Sequence, residues 1–204
     1  MSAQAFEPNL QQWDAWRPAE VARILAAVEA PWYVAAGWAI DLFLGRQQRE
    51  HEDIEIAVPR TRFREVADAL AGFELFAAGV PSSGFVTSLE LGGDRETHQT
   101  WVREPTTGRW RLDVFCEPSE GGTWIYRRDG RIRLPYDEVI EWTSGGVPYG
   151  RPEIVLLFKA RQVREKDESD FAAVLPLLGP ERRRWLVDAL QLVHPRHRWL
   201  RELD

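Results

Sequence analysis

The sequence predicts an α+β fold: a mixed β-sheet flanked by helices, followed by a small C-terminal helical lobe. Three observations carry this. Segments with helical apolar spacing alternate with short strand-like segments over the first 71 residues. A β-rich stretch then runs from FELFA through RIRL, and from Pro152 onward the spacing is helical. Strands mixed with helices at one end and helices gathered at the other is the pattern of an α+β chain. The division falls at 1–150 for the sheet domain and 151–204 for the helical lobe packed against it, an arrangement that leaves a cleft between them.

The elements follow in order. Residues 18–29 open on a proline and place Val21, Ile24, Leu25 and Val28 on one face, as an amphipathic helix does. Trp32 to Ala36 reads as a short strand, and Gly37 turns the chain into WAIDLFLG, a helix closed by Gly45. HEDIEIAV alternates charged and apolar residues with period two, the mark of a half-buried strand. Residues 61–71 form another helix. The strands FELFA, FVTSLEL, THQTWV, RWRLDVFC, TWIYRR and RIRL follow, with RRDGR supplying a hairpin turn because Asp-Gly accepts positive φ angles. PEIVLLFKARQVR, DESDFAAVLPLL and PERRRWLVDALQLV complete the lobe.

Composition narrows the function. Of 204 residues 44% are apolar, enough for a chain of this size to bury about 70% of its unfolded surface. The longest apolar runs are broken by charges or prolines short of a membrane span, and the amino terminus lacks a basic start and an apolar stretch, so a cytoplasmic protein is expected. A net charge of −6, from 26 Lys and Arg against 32 Asp and Glu, disfavours general nucleic-acid binding and favours small or cationic partners. The single cysteine, Cys116, permits no internal disulfide and sits on an apolar strand face as a buried thiol.

The acids carry the chemistry. In HEDIEIAV, Ile54, Ile56 and Val58 share the core face, which sends Asp53 and Glu55 together to the other. In RWRLDVFC the apolar set Trp110, Leu112, Val114 and Cys116 leaves Asp113 facing away beside Arg111 and Phe115. A strand that alternates charge can simply face water. If the two strands are neighbours, however, three carboxylates converge, and like charges at that density call for a cation, with hard oxygen ligands suited to Mg²⁺.

The phrase Gly37-Trp38-Ala39-Ile40-Asp41, a short helix, Gly45-Arg46, then His51-Glu52-Asp53-Ile54-Glu55 resembles the nucleotidyltransferase superfamily, specifically its aminoglycoside and lincosamide nucleotidyltransferase branch. Leu112-Asp113-Val114 with Glu117-Pro118 matches the family's third acid, and PEIVLLFKARQVREKDESDF resembles its lysine-bearing helix, so the likeness covers roughly residues 20 to 190. The resemblance implies a nucleotidyltransferase-like fold. It also implies a metal-dependent enzyme, an adenylyltransferase, that moves a nucleoside monophosphate from a nucleoside triphosphate, ATP, to a hydroxyl of a small cationic molecule of the aminoglycoside antibiotic type. Asp53, Glu55 and Asp113 are then the catalytic residues and the Mg²⁺ ligands, with Asp113 drawing on the acceptor hydroxyl. The family has two adjacent small residues at the turn, glycine followed by glycine or serine, whereas this chain has Ala36 before Gly37. That departure keeps a second reading open, a nucleotide-binding module without turnover. A third is a superfamily member that modifies protein or RNA in a toxin and antitoxin setting.

Nucleotide contacts are expected at Gly37 and Trp38, because the first N–H groups of a helix attract phosphate. Arg46 at the end of that helix is placed with them, although an arginine there also suits the helix dipole. Lys159 completes the set: it shares one helix side with Lys166, seven residues on, if the helix continues between them, and its stem is covered while its ammonium emerges into the cleft. His51, strand-edge or metal ligand, shares the face of the acid pair, and Trp38 and Trp124 offer stacking surfaces. His194 and His197 have no acid partner nearby, and Arg127, Arg128, Arg131 and Arg133 flank the hairpin turn as solvated charge or as anion contacts.

Overall fold

The computed structural model describes residues 5–78, 86–88 and 98–203. The strands are β1 Ala5–Phe6, β2 Tyr33–Val34, β3 Glu55–Pro59, β4 Glu74–Ala78, β5 Val86–Ser88, β6 Gln99–Arg103, β7 Trp110–Glu117, β8 Ser119–Glu120, β9 Thr123–Ile125, β10 Arg133–Pro135, β11 Ile140–Trp142 and β12 Pro148–Gly150. The helices are α1 Pro18–Ile24, α2 Ala36–Leu44, α3 Phe63–Ala69, α4 Pro152–Lys159, α5 Glu165–Val174, α6 Pro180–Val193 and α7 Leu200–Leu203. Nine strands form one sheet in the order β1-β5-β4-β6-β7-β3-β2-β12-β11, and β8 to β10 form a small second sheet. The large sheet is mixed: β3 and β7 run parallel, as do β2 and β12, and the remaining neighbours are antiparallel. Among the described residues no helix is long and apolar enough to cross a membrane.

Ile56, Val58, Leu112, Val114 and Cys116 point to one side of the sheet, where they share a single buried core with Val21 of α1 and Phe63 and Val66 of α3. The opposite side carries Glu55, Asp113, Phe115 and Glu117, and α4 lies against it. Period two along two adjacent strands is thus what separates core from site.

Several elements differ from the sequence reading. The helix expected over 18–29 stops at Ile24 and continues as tighter turns to Val28, because Pro31 follows and the Ala30 N–H is taken by the Glu65 carboxylate at 3.0 Å. Ala36, expected at a strand end, opens α2 instead. The strand expected over 51–58 begins only at Glu55, so Asp53 sits in the preceding loop. A register shift between Val102 and Arg103 pairs Trp110 with Arg103. Trp110 therefore leaves the core face and packs with Phe76, Trp101 and Trp13 in a second apolar cluster. The RRDGR turn is a longer loop of consecutive turns from Tyr126 to Ile132, and Gly130 does not adopt positive φ. Asp129 organises it by accepting from the Arg131 N–H and guanidinium. The helix expected over PEIVLLFKARQVR breaks after Lys159, and the next begins at Glu165. Of the expected strand FVTSLEL only Val86–Ser88 is described, and its other residues lie outside the described ones.

Candidate active site

The sequence expectation that matters most concerns the acids, and the sheet brings them together. Glu55 at the start of β3 is the direct cross-strand partner of Asp113 on β7, and the Asp113 N–H donates to the Ile54 carbonyl at 2.9 Å, extending the pairing towards Asp53. Direct partners on parallel strands project to the same face. Burial pushes the Glu55 carboxyl up to about 8, with the charge of Asp53 adding to it, while Lys159, Lys166 and Arg49 pull the other way. Asp113 is 3% exposed; burial raises it well above the carboxylate range and the charges of Glu55 and Asp53 add to that, opposed by a hydrogen bond from Gln99. The Gln99 amide donates to Asp113 Oδ2 at 2.5 Å, whereas Oδ1 is buried with no hydrogen-bond partner. Among the described residues no three His, Cys, Asp or Glu side chains are drawn up as a metal-binding group. What the trio offers a cation is an unsatisfied buried oxygen and a repulsion that only positive charge relieves.

Asp53 is held by the loop before β3. The Trp38 indole donates to the Asp53 carbonyl at 3.2 Å, and the ring stacks on His51 with centroids 4.4 Å apart. His51 in turn meets Asp41 at 2.6 Å, and Asp41 also accepts from the Gln48 N–H. Asp41 is the residue sequence reasoning passed over: a charged side chain in an otherwise apolar helix, 4% exposed, it anchors the whole loop. Gly37 is required by the same packing, since a Cβ there would collide with the Arg49 guanidinium and lie 2.8 Å from the His51 ring. His51 is a structural partner of Asp41 and not a strand-edge residue.

A cavity of about 570 Å³ opens beside the trio, lined by Glu55, Phe115 and Glu117 of the sheet, Ala35 and Ala36 at the start of α2, and residues of α4 and the two flanking loops. Ala36 is the one described non-glycine residue with positive φ, at 51°. The Ala35 N–H pairs with the Glu55 carbonyl at 2.8 Å, and α2 has no side-chain cap, so the N–H groups of its first turn have no partner within the helix. Glu117 faces this cavity four residues along β7 from Asp113, roughly 13 Å away. It accepts from the Tyr33 hydroxyl at 2.5 Å and the Trp124 indole at 2.6 Å, and burial still pushes it up to about 7. Trp124 is fully buried, so it is a prop for Glu117 and not a stacking surface.

The expected nucleotide contacts fare unevenly. Lys159 does line the cavity, but its ammonium is buried against Asp167 at 2.7 Å and Asp170 at 2.9 Å, so its charge does not emerge into the cleft. Arg46 lies past the C-terminal end of α2, exposed and away from the cavity, because the helix carries it a full length from its own first turn. Trp38 is 7% exposed, taken up by His51, Asp53 and the Arg17 guanidinium, and Gly37 is buried. Cys116 is buried, and the His194 and His197 rings stand 6.2 Å apart; among the described residues no metal-binding cluster surrounds them.

Residues 19–79, which carry the turn, α2 and the acid pair, match the family model of aminoglycoside-2''-adenylyltransferase. No curated protein matches the sequence. Among solved structures, the solution structure of the antibiotic-resistance factor ANT(2'')-Ia is similar at a TM-score of 0.57 and 16% identity, over 87% of this chain and 90% of that one. The crystal structure of the same factor in complex with adenylyl-2''-tobramycin gives 0.54 and 16%, over 85% and 94%. The lincosamide antibiotic adenylyltransferase LnuA, lincomycin-bound, gives 0.52 and 17%, over 76% and 92%. At these identities the solved structures speak for the fold alone. The chain is thus similar to the aminoglycoside-2''-adenylyltransferase family over residues 19–79, and it shares the overall fold of these antibiotic adenylyltransferases.

Proposed function

We propose that the chain transfers the adenylyl group of ATP to a hydroxyl of a small, cationic antibiotic of the aminoglycoside or lincosamide type, with Mg²⁺ held at Asp53, Glu55 and Asp113. The observation that carries this is the side-by-side placement of Glu55 and Asp113 on parallel strands with Asp53 beside them. Asp113 Oδ1, buried and unpartnered, is the atom suited to a cation or to the acceptor's proton. Mg²⁺ there would neutralise charge on the triphosphate during in-line transfer. In that transfer the acceptor oxygen bonds to the α-phosphorus, the bond from α-phosphorus to the bridging oxygen breaks, pyrophosphate leaves, and the hydroxyl proton passes to Asp113. The relatives support the acceptor class through an adenylylated tobramycin in one and lincomycin in another.

The left-handed conformation of Ala36 speaks against the reading as an inert binding module. The backbone keeps the sharp turn into α2 despite a side chain that disfavours it, so the entrance to the helix retains its shape. The test is pyrophosphate release from ATP across a panel of aminoglycosides and lincosamides with Mg²⁺. Release that needs both acceptor and metal, and that Asp53→Ala and Asp113→Asn reduce by at least about a hundredfold with folding intact, is the expected result. Absence of release with every acceptor would reject the assignment.

A further inference from the structure

The wall of the cavity carries more positive charge than the acid trio accounts for. Arg127, Arg128, Lys159, Arg161 and Arg164 all line it. Three of them are occupied. Lys159 is paired with Asp167 and Asp170, Arg164 meets Asp167 at 2.9 Å, and Arg128 donates to the Phe158 carbonyl at 2.7 Å while lying over the Phe158 ring. Arg127 and Arg161 differ. Both are exposed at the cavity mouth, one from the loop after β9 and the other from the break between α4 and α5, and neither forms an ion pair or hydrogen bond among the described residues.

These charges strain against one another. Burial of its surroundings draws the Arg127 guanidinium below its ordinary value, and the like charges of Arg128 and Arg161 add to that, against attraction from Glu117. Facing them across the same cavity are Glu55 and Glu117, the latter already held by the Tyr33 hydroxyl and the Trp124 indole. Cations crowded on one wall, with the uncapped start of α2 opening into the same space, are relieved by a bound anion.

We propose that Arg127 and Arg161 clamp the β- and γ-phosphates of the nucleotide at the cavity mouth, in the role that the sequence assigned to Lys159. Two guanidiniums reaching from separate segments suit an extended polyphosphate better than a single phosphate, because each offers a planar fork to a different phosphoryl group. The assignment rests on the nucleotidyltransferase reading only for the identity of that polyphosphate. It locates the departing pyrophosphate on the lobe side of the acids and leaves the other side of Asp113 to the acceptor.

The probe is inorganic tripolyphosphate, titrated calorimetrically into the metal-free protein. The wild type should bind it, with affinity that falls as salt rises. Arg127→Ala and Arg161→Ala should each weaken binding roughly tenfold, and Arg127→Lys should restore part of the loss. Arg131→Ala, in the same loop but paired with Asp129, should change nothing. In turnover, the double variant should raise KM for ATP and leave that for the acceptor in place. No binding by the wild type, or equal binding by the double variant, overturns the clamp. Tripolyphosphate binding that depends on both arginines in a protein without turnover on any acceptor would instead reject the proposed function and leave the clamp standing.

Discussion

At the scale of single residues, the site is built from groups held away from their ordinary state. Ala36 occupies a left-handed conformation at 51° that costs an L-residue roughly 1–2 kcal/mol. Part of that is offset because glycine has the more flexible unfolded chain. Ala36→Gly should therefore stabilise the protein by about 0.5–1 kcal/mol in urea unfolding, without loss of nucleotide affinity; a loss of stability would mean that the Ala36 methyl packs usefully in the cavity wall. Glu117 gives a pH dependence. Its folded value of about 7 lies above the ordinary 4.5, so between those values the folded state binds more protons than the unfolded, and stability falls as pH rises through that window. Above it the destabilisation from this one group is on the order of 3 kcal/mol. Glu117→Gln keeps an oxygen for Tyr33 and Trp124 but cannot ionise, so its melting temperature should decline less than that of the wild type between about pH 5 and pH 8. Parallel curves for the two proteins would show that Glu117 does not titrate there.

At the scale of elements, the break between α4 and α5 decides what Lys159 does. α5 begins with Arg164 as its N-cap residue, whose N–H donates to Asp167 at 3.0 Å, and this turn folds Asp167 and Asp170 back over the Lys159 ammonium. Although burial opposes ionisation, Arg164 and Lys159 hold the Asp167 carboxyl well below the usual carboxylate range. Lys159 is therefore a bolt between two helices. Its removal leaves two nearly buried aspartates short of a partner, so Lys159→Ala should cost roughly 3–5 kcal/mol in stability, read as a fall in melting temperature. A variant of unchanged stability with a selective rise in KM for ATP would return Lys159 to the nucleotide site. The same logic explains the hairpin arginines: Asp129 and Glu120 neutralise Arg131 and Arg133, which leaves Arg127 free to face the cavity.

At the scale of the whole molecule, the sheet and the helical lobe share one core. Ile54 and Leu112 of the sheet belong to the same buried cluster as Leu157, Phe171 and Leu186 of the lobe. α4 is buried along nearly its whole length between α2, α5 and α6, and Arg182 of α6 pairs with Glu141 of β11 across the boundary at 150. Chemical denaturation followed by tryptophan fluorescence and by far-ultraviolet circular dichroism should give one coincident transition, as a shared core requires. Two separated transitions would show that the lobe unfolds on its own.

How much of this was legible beforehand follows from the range of the forces involved. Local patterns sufficed for the α+β class, for the closure of α2 at Gly45, and for the face on which Glu55 and Asp113 lie, because period two and the helical period are properties of neighbouring residues. The phrase from Gly37 to Glu55 was enough for a resemblance to the family whose model matches residues 19–79. What the chain order could not express was which distant charges would meet. Asp41 with His51, Lys159 with Asp167 and Asp170, Gln99 with Asp113, and the joining of Arg127 to Arg161 across one cavity all depend on strand order and on a helix break. Trp110 was misassigned for the same reason, since a bulge lies in the register between two strands and not in either one. An ionisable side chain reads the same in a sequence whether it ends in water or against an opposite charge, and only the tertiary structure sets the burial and the partner that decide which.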